Sequence, residues 1–81
     1  MWWVYVIHNK EANKIYIGCS NNVERRLQEH NKKRGKHYTA KIKGEWKIVY
    51  KEGLQVKYEA LKREKQLKSY QGRLFIRKLI K

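Results

Sequence analysis

Proline is absent from this chain, cysteine occurs once, glycine five times, and only seven residues are acidic. The lone Cys19 excludes an intrachain disulfide framework and a multi-cysteine zinc site, and it points to a reducing, cytoplasmic setting. Long hydrophobic runs are missing as well. The apolar stretch from Trp2 to Ile7 is far too short for a signal-peptide core or a membrane span, and it stops at His8 and Asn9. Export is not expected. Neither internal repeats nor low-complexity tracts interrupt the chain, and every glycine falls where an element reads as ending.

What is present is positive charge. The net charge is +14 over 81 residues, with 21 Lys and Arg. Residues 1–30 carry four of these against three Glu, residues 31–56 eight against two, and residues 57–81 nine against two, so the excess lies in the last two-thirds. Such a field attracts polyanions, and cations that neutralise phosphates gain affinity by counterion release. Nucleic acid is therefore the expected partner. A membrane surface is not: no segment joins a long apolar face to a basic one, and no lipidation signal is visible. Hydrophobic residues at 41% and aromatics at 12% are too many for a disordered basic tail, and the length leaves room for one domain spanning residues 1–81.

Periodicity supplies the elements. Trp2 to Ile7 and Ile15 to Gly18 read as a β-hairpin. With the turn centred near Lys10 and Glu11, Tyr5 falls opposite or diagonal to Tyr16, so two phenols share one sheet face. Ser20 or Asn21 is placed to cap a helix running to about Lys33 and stopped by Gly35, with Glu24 closing a capping box if Asn21 is the cap. On that helix Val23 and Leu27, about 40° apart, mark the buried side, His30 falls between their directions, and Arg26 lies about 60° to one side. Residues 36–44, His37 and Tyr38 included, read as a basic loop placed to meet phosphate. Trp46, Ile48 and Tyr50 alternate with Lys47, Val49 and Lys51 as a third strand ended by Gly53. A helix over Lys57 to Lys68 follows, and Leu74, Phe75, Leu79 and Ile80 mark the apolar side of a final helix after Gly72. The order is ββαβαα, an α+β arrangement.

Glu64 breaks the pattern of its helix. At about 100° per residue it points in nearly the same direction as Ala60, Leu61 and Leu67, and a carboxylate is rarely placed on an apolar stripe without a partner or a task. An internal salt bridge would satisfy it, with Arg26 one candidate. So would a working site.

These residues resemble the GIY-YIG endonuclease superfamily. The resemblance rests on Val4-Tyr5-Val6, on Ile15-Tyr16-Ile17-Gly18, on Arg26 ten residues past Tyr16, on His30-Asn31, and on Ala60, Glu64, Leu67 and Lys68. It is strongest to small standalone bacterial members related to the N-terminal nuclease module of the excinuclease C repair subunit. Two departures stand out: Trp3-Val4 replaces the Gly-Ile of the first motif, and Cys19 stands where some relatives have lysine. Cys19 is expected to be a small packing residue. The family fold is a three-stranded antiparallel sheet flanked by helices, in accord with the element order.

Chemically, the resemblance implies metal-assisted phosphodiester hydrolysis. Glu64 would hold one Mg²⁺ (or Mn²⁺), Tyr5 would deprotonate or orient the attacking water, and Tyr16 would support it or position the phosphate. A phenol is a poor base at neutral pH, so the role of Tyr5 requires that neighbouring cations lower its pKa. Arg26 would meet developing charge on the phosphate, and His30 would orient water or share base duty. Tyr38 and Thr39 fit a loop pattern of the same family. Lys32, Lys33, Arg34, Lys41 and Lys43 are the candidates to grip the DNA backbone. With no separate reader motif appended, either DNA structure is recognised, or cutting is unselective, or a partner protein supplies targeting. The alternative class is a non-catalytic basic module that binds DNA or RNA on the same fold.

Overall fold

Residues 1–32 and 38–80 are described by a computed structural model, and they form an α+β arrangement in the order ββαβαα. Strand β1 (Trp2–Asn9) sits at the centre of a three-stranded antiparallel sheet, between β2 (Lys14–Ser20) and β3 (Trp46–Leu54). Its side chains divide cleanly. Val4 and Val6 point to one face and Tyr5 and Ile7 to the other, all fully or almost fully buried, as a central strand covered on both sides requires.

The β1–β2 connection is a four-residue turn. Asn13 donates its N–H to the Lys10 carbonyl at 3.3 Å and adopts a left-handed φ of 53°, while the Asn9 side chain accepts from the Ala12 N–H at 3.0 Å. The turn centre therefore falls one residue beyond the Lys10-Glu11 position expected. Tyr5 pairs with Gly18 and Tyr16 with Ile7, which makes the two tyrosines diagonal neighbours on the same face.

Strand β3 departs from the simple alternation. Val6 pairs with Tyr50 but Ile7 pairs with Ile48, so Val49 is an extra residue bulged out of the ladder. The bulge reverses the facing: Trp46 and Ile48 pack on the side of Tyr5, whereas Val49, Tyr50 and Leu54 pack on the side of Val4 and Val6. Nor does Gly53 end the strand; it pairs with Trp3.

Helix α1 (Val23–Asn31) covers the Tyr5 face, with Val23 and His30 buried. Its cap is Asn22, whose side-chain oxygen accepts from the Arg25 N–H at 3.1 Å, and not Ser20 or Asn21. Ser20 instead bonds both the N–H and the carbonyl of Asn22, leading the chain from strand to helix. With Asn22 as cap, position N3 is Arg25, and the Glu24 capping box does not form. At the other end the Asn31 amide bonds the Trp46 backbone twice, donating to its carbonyl at 3.0 Å and accepting from its N–H at 2.7 Å. Asn31 thus imitates a strand partner and ties the end of α1 to the start of β3. Lys33, Arg34, Gly35 and His37 lie outside the described residues. Part of the segment expected as a loop is a short 3-10 helix, Tyr38–Lys41.

Helices α2 (Lys57–Leu67) and α3 (Tyr70–Leu79) cover the opposite face, where Ala60, Leu67 and Ile76 pack against Val4, Val6 and Ile17. Burying each of the Val, Leu and Ile side chains contributes about 1.5–3 kcal/mol. Two expectations about this layer need correction. Leu61 faces out, and the centre of the α3 contact is Ile76, while Leu74, Phe75 and Leu79 remain roughly two-fifths exposed. The helix also begins before Gly72. A Cβ at Gly72 would overlap the backbone of Gln66 and Leu67, so glycine lets α3 fold back tightly on the end of α2. No helix among the described residues is long and apolar enough to cross a membrane.

Candidate active site

Tyr5 is the hub. Its side chain is 1% exposed, and its ring lies across the place where residue 18 would carry a side chain. A Cβ on Gly18 would stand 2.6 Å from the Tyr5 hydroxyl oxygen and 2.9 Å from a Tyr16 ring carbon. Glycine on the outer strand β2 therefore lets a phenol rooted on the central strand reach across its neighbour.

Three rings converge there. The centroids of Tyr5 and Tyr16 are 6.3 Å apart, those of Tyr5 and His30 6.1 Å, and those of Tyr16 and His30 4.8 Å. The Tyr5 hydroxyl lies 3.0 Å from His30 Nε2, and His30 Nδ1 lies 2.6 Å from Thr39 Oγ1. Thr39 is buried, and it is one reason why the 3-10 helix is held under α1. Arg26, one turn before His30, forms an ion pair with Glu29 at 2.7 Å and lies beside the Tyr5 hydroxyl. With a cation facing the phenol oxygen, the phenol proton is directed at His30 Nε2. That assignment leaves the imidazole proton on Nδ1, donated to Thr39.

The electrostatics correct one expectation. Burial first, and then the neighbouring Tyr16, push the Tyr5 phenol up to about 12, and the Arg26 guanidinium offsets only part of that rise. Nearby cations do not make Tyr5 acidic; desolvation outweighs them. Burial works against the charge of Arg26, but its bonds to Glu29 and Tyr5 prevail and hold it more firmly protonated than usual.

Glu64 approaches from the other layer. It follows Ala60 by one turn on the inner side of α2, its side chain is 20% exposed, and its negative charge acts on both Tyr5 and Cys19. It is neither turned out to solvent nor paired with Arg26. Lys68, one turn further along, bonds its carboxylate at 3.0 Å. Burial and the charge of Glu64 together raise the Cys19 thiol, which packs with the Val4 face. That is how a packing residue behaves, and a reactive thiolate needs the opposite surroundings.

Among the described residues no three His, Cys, Asp or Glu side chains gather as a metal cluster. Glu64 is the one carboxylate whose charge acts on Tyr5, beside which lie the Tyr16 phenol and His30 Nε2. A set of few, hard oxygen donors suits a divalent ion that keeps most of its water, and does not suit zinc. Glu64 fits that task.

Lys32, Lys41 and Lys43 are exposed and lie in or beside the α1 and 3-10 segments, whereas Lys33 and Arg34 lie outside the described residues. The partnership of Thr39 with His30, the two-bond anchor at Asn31 and the pairing of Glu29 with Arg26 went unread in the sequence. Only the last had a local signal, an i to i+3 acid–base spacing.

Comparison with known proteins agrees with this geometry. A family model described as the GIY-YIG catalytic domain matches residues 1–77. The chain belongs to the GIY-YIG family. Among GIY-YIG relatives, a UPF0213 protein of Staphylococcus saprophyticus is 35% identical over 68 residues, covering 84% of this chain and 80% of its own length. UPF0213 proteins of Staphylococcus aureus strains Mu3 and N315 match with the same identity and coverage. No solved structure matches the chain significantly. The GIY-YIG domain places this protein in a nuclease superfamily.

Proposed function

We infer that this protein is a metal-dependent DNA endonuclease. The observation that carries the reading is the 3.0 Å contact between the Tyr5 hydroxyl and His30 Nε2, with Arg26 beside the same oxygen. A buried phenol with a raised pKa is not a standing base, but it can pass a proton on. As water attacks phosphorus, its proton moves to the Tyr5 oxygen while the phenol proton moves to His30 Nε2. The bond from phosphorus to the leaving sugar oxygen breaks, and that oxygen takes a proton from solvent. Thr39 holds the imidazole so that Nε2 receives the proton, and Arg26 meets the charge that develops on the phosphate oxygens. Tyr16, packed at a tilt against His30, positions the phosphate. Glu64 is the residue that would hold Mg²⁺ or Mn²⁺, which when bound neutralises phosphate charge and lowers the pKa of water.

Structure-selective cutting in DNA repair or recombination, in the cytoplasm and with a targeting partner protein, is the biological setting we infer for this chemistry. One observation favours the non-catalytic DNA- or RNA-binding alternative: Lys68 already neutralises Glu64. Nicking of supercoiled plasmid in Mg²⁺ separates the two readings. Activity that disappears in Glu64→Ala supports the endonuclease, and equal slow cleavage by both proteins leaves the binding module.

A further inference from the structure

Beyond the tyrosine cluster, a groove of about 870 Å³ runs between the β1–β2 hairpin and the α2–α3 layer. Lys10, Lys14, Lys68, Arg73 and Arg77 line it, and no acidic side chain does among the described residues. Some cations have carboxylate partners: Arg26 with Glu29, Lys51 with Glu24, Arg63 with Glu52 and, in the groove itself, Lys68 with Glu64. Lys10, Lys14, Arg73 and Arg77 have none among the described residues. Like charges gathered without counter-charges repel one another, and a bound polyanion removes that cost.

The groove is continuous with the site. Tyr16 forms part of its wall and also packs on His30, and Lys68 both lines the groove and holds Glu64. Arg73 is already oriented, because its Nε donates to the Lys68 carbonyl at 3.3 Å. Its volume lies at the upper end of the roughly 300–1,000 Å³ range of small-ligand sites, which gives room for a short run of one strand. Ile80 adds an apolar surface beside the cations, suited to sugar or base.

We propose that this groove binds a single DNA strand leading away from the phosphate at the Tyr5–His30 site, with Lys14, Arg73 and Arg77 contacting its backbone. The proposal rests on the endonuclease reading for its choice of DNA, and it moves the main strand contact away from the α1 side, where Lys32, Lys41 and Lys43 lie.

The test measures binding of a fluorescein-labelled single strand by anisotropy in EDTA from 50 to 200 mM salt, so cleavage does not enter. Replacing Lys14, Arg73 and Arg77 together by Gln should reduce the log–log salt slope by about 2, at roughly 0.7 per lost contact. The corresponding triple at Lys32, Lys41 and Lys43 should change it less. Thermal melting confirms that each protein folds; if the groove triple does not, Arg77→Gln alone should reduce the slope by about 0.7. An unchanged slope overturns the proposal, as does a larger change in the α1-side triple. Loss of binding to anionic phosphatidylserine vesicles with DNA binding intact also overturns it. Plasmid nicking by Glu64→Ala is scored separately, so a failed groove and a failed nuclease give different results.

Discussion

Thr39 Oγ1 stands 2.6 Å from His30 Nδ1, and through that contact a buried threonine sets which imidazole nitrogen faces Tyr5. Thr39→Val keeps the shape and removes this acceptor. Melting should show a loss of about 1–3 kcal/mol, and cleavage should fall through kcat more than through KM. Thr39→Ser should restore both, which a purely packing role for the γ-methyl would not allow.

Gly18→Ala tests the reach of Tyr5 across β2. The added methyl would contest the space of the Tyr5 hydroxyl, 2.6 Å away, and would crowd Tyr16 as well. Overpacking of this kind costs about 1–3 kcal/mol, and displacement of the phenol by about 1 Å should lower the cleavage rate on the order of 100-fold. A folded, fully active Gly18→Ala would remove Tyr5 from the proton path.

The raised pKa of Tyr5 makes stability depend on alkali. Below pH 10 the phenol is protonated in both folded and unfolded chains, and its contribution is fully present. Between the ordinary value of 10.0 and the folded value of about 12, only the unfolded chain gives up the proton, so stability falls as pH rises. A shift of this size corresponds to about 2–3 kcal/mol lost across the window. Denaturant titrations from pH 9 to 12 should show that extra loss in the native protein and not in Tyr5→Phe.

Lys68 competes for the carboxylate that would hold metal. The pair is half open to solvent on the lysine side, and removing it should alter stability by no more than about 0.5 kcal/mol. Lys68→Met should bind Mn²⁺ more tightly than the native protein when followed by electron paramagnetic resonance, and Glu64→Ala should bind it more weakly. Unchanged Mn²⁺ affinity in Glu64→Ala would show that this acid is not the ligand.

Much of the fold and of the grouping was legible because it follows from period and spacing. A two-residue repeat placed Tyr5 and Tyr16 on one face whether they paired directly or diagonally, and a helical repeat exposed Glu64 as a carboxylate between Ala60 and Leu67. What stayed hidden depends on three-dimensional context. The Val49 bulge has no signature in an apolar run, yet it reverses the facing of every later residue in β3. Ile76 displaced Leu74 and Phe75 from the core because the tight passage at Gly72 sets the rotation of α3. The pKa of Tyr5 went opposite to the net charge since desolvation acts at contact range, whereas most of the cations lie far off in water.

Strand β1 is the one strand flanked on both sides, and it carries Tyr5 midway along its length. Its amide protons should exchange with deuterium only through whole-molecule opening, while the outer strands β2 and β3 and the helix ends exchange through smaller fluctuations. Tyr5 should therefore keep its place through those smaller openings, and only cooperative melting should release it.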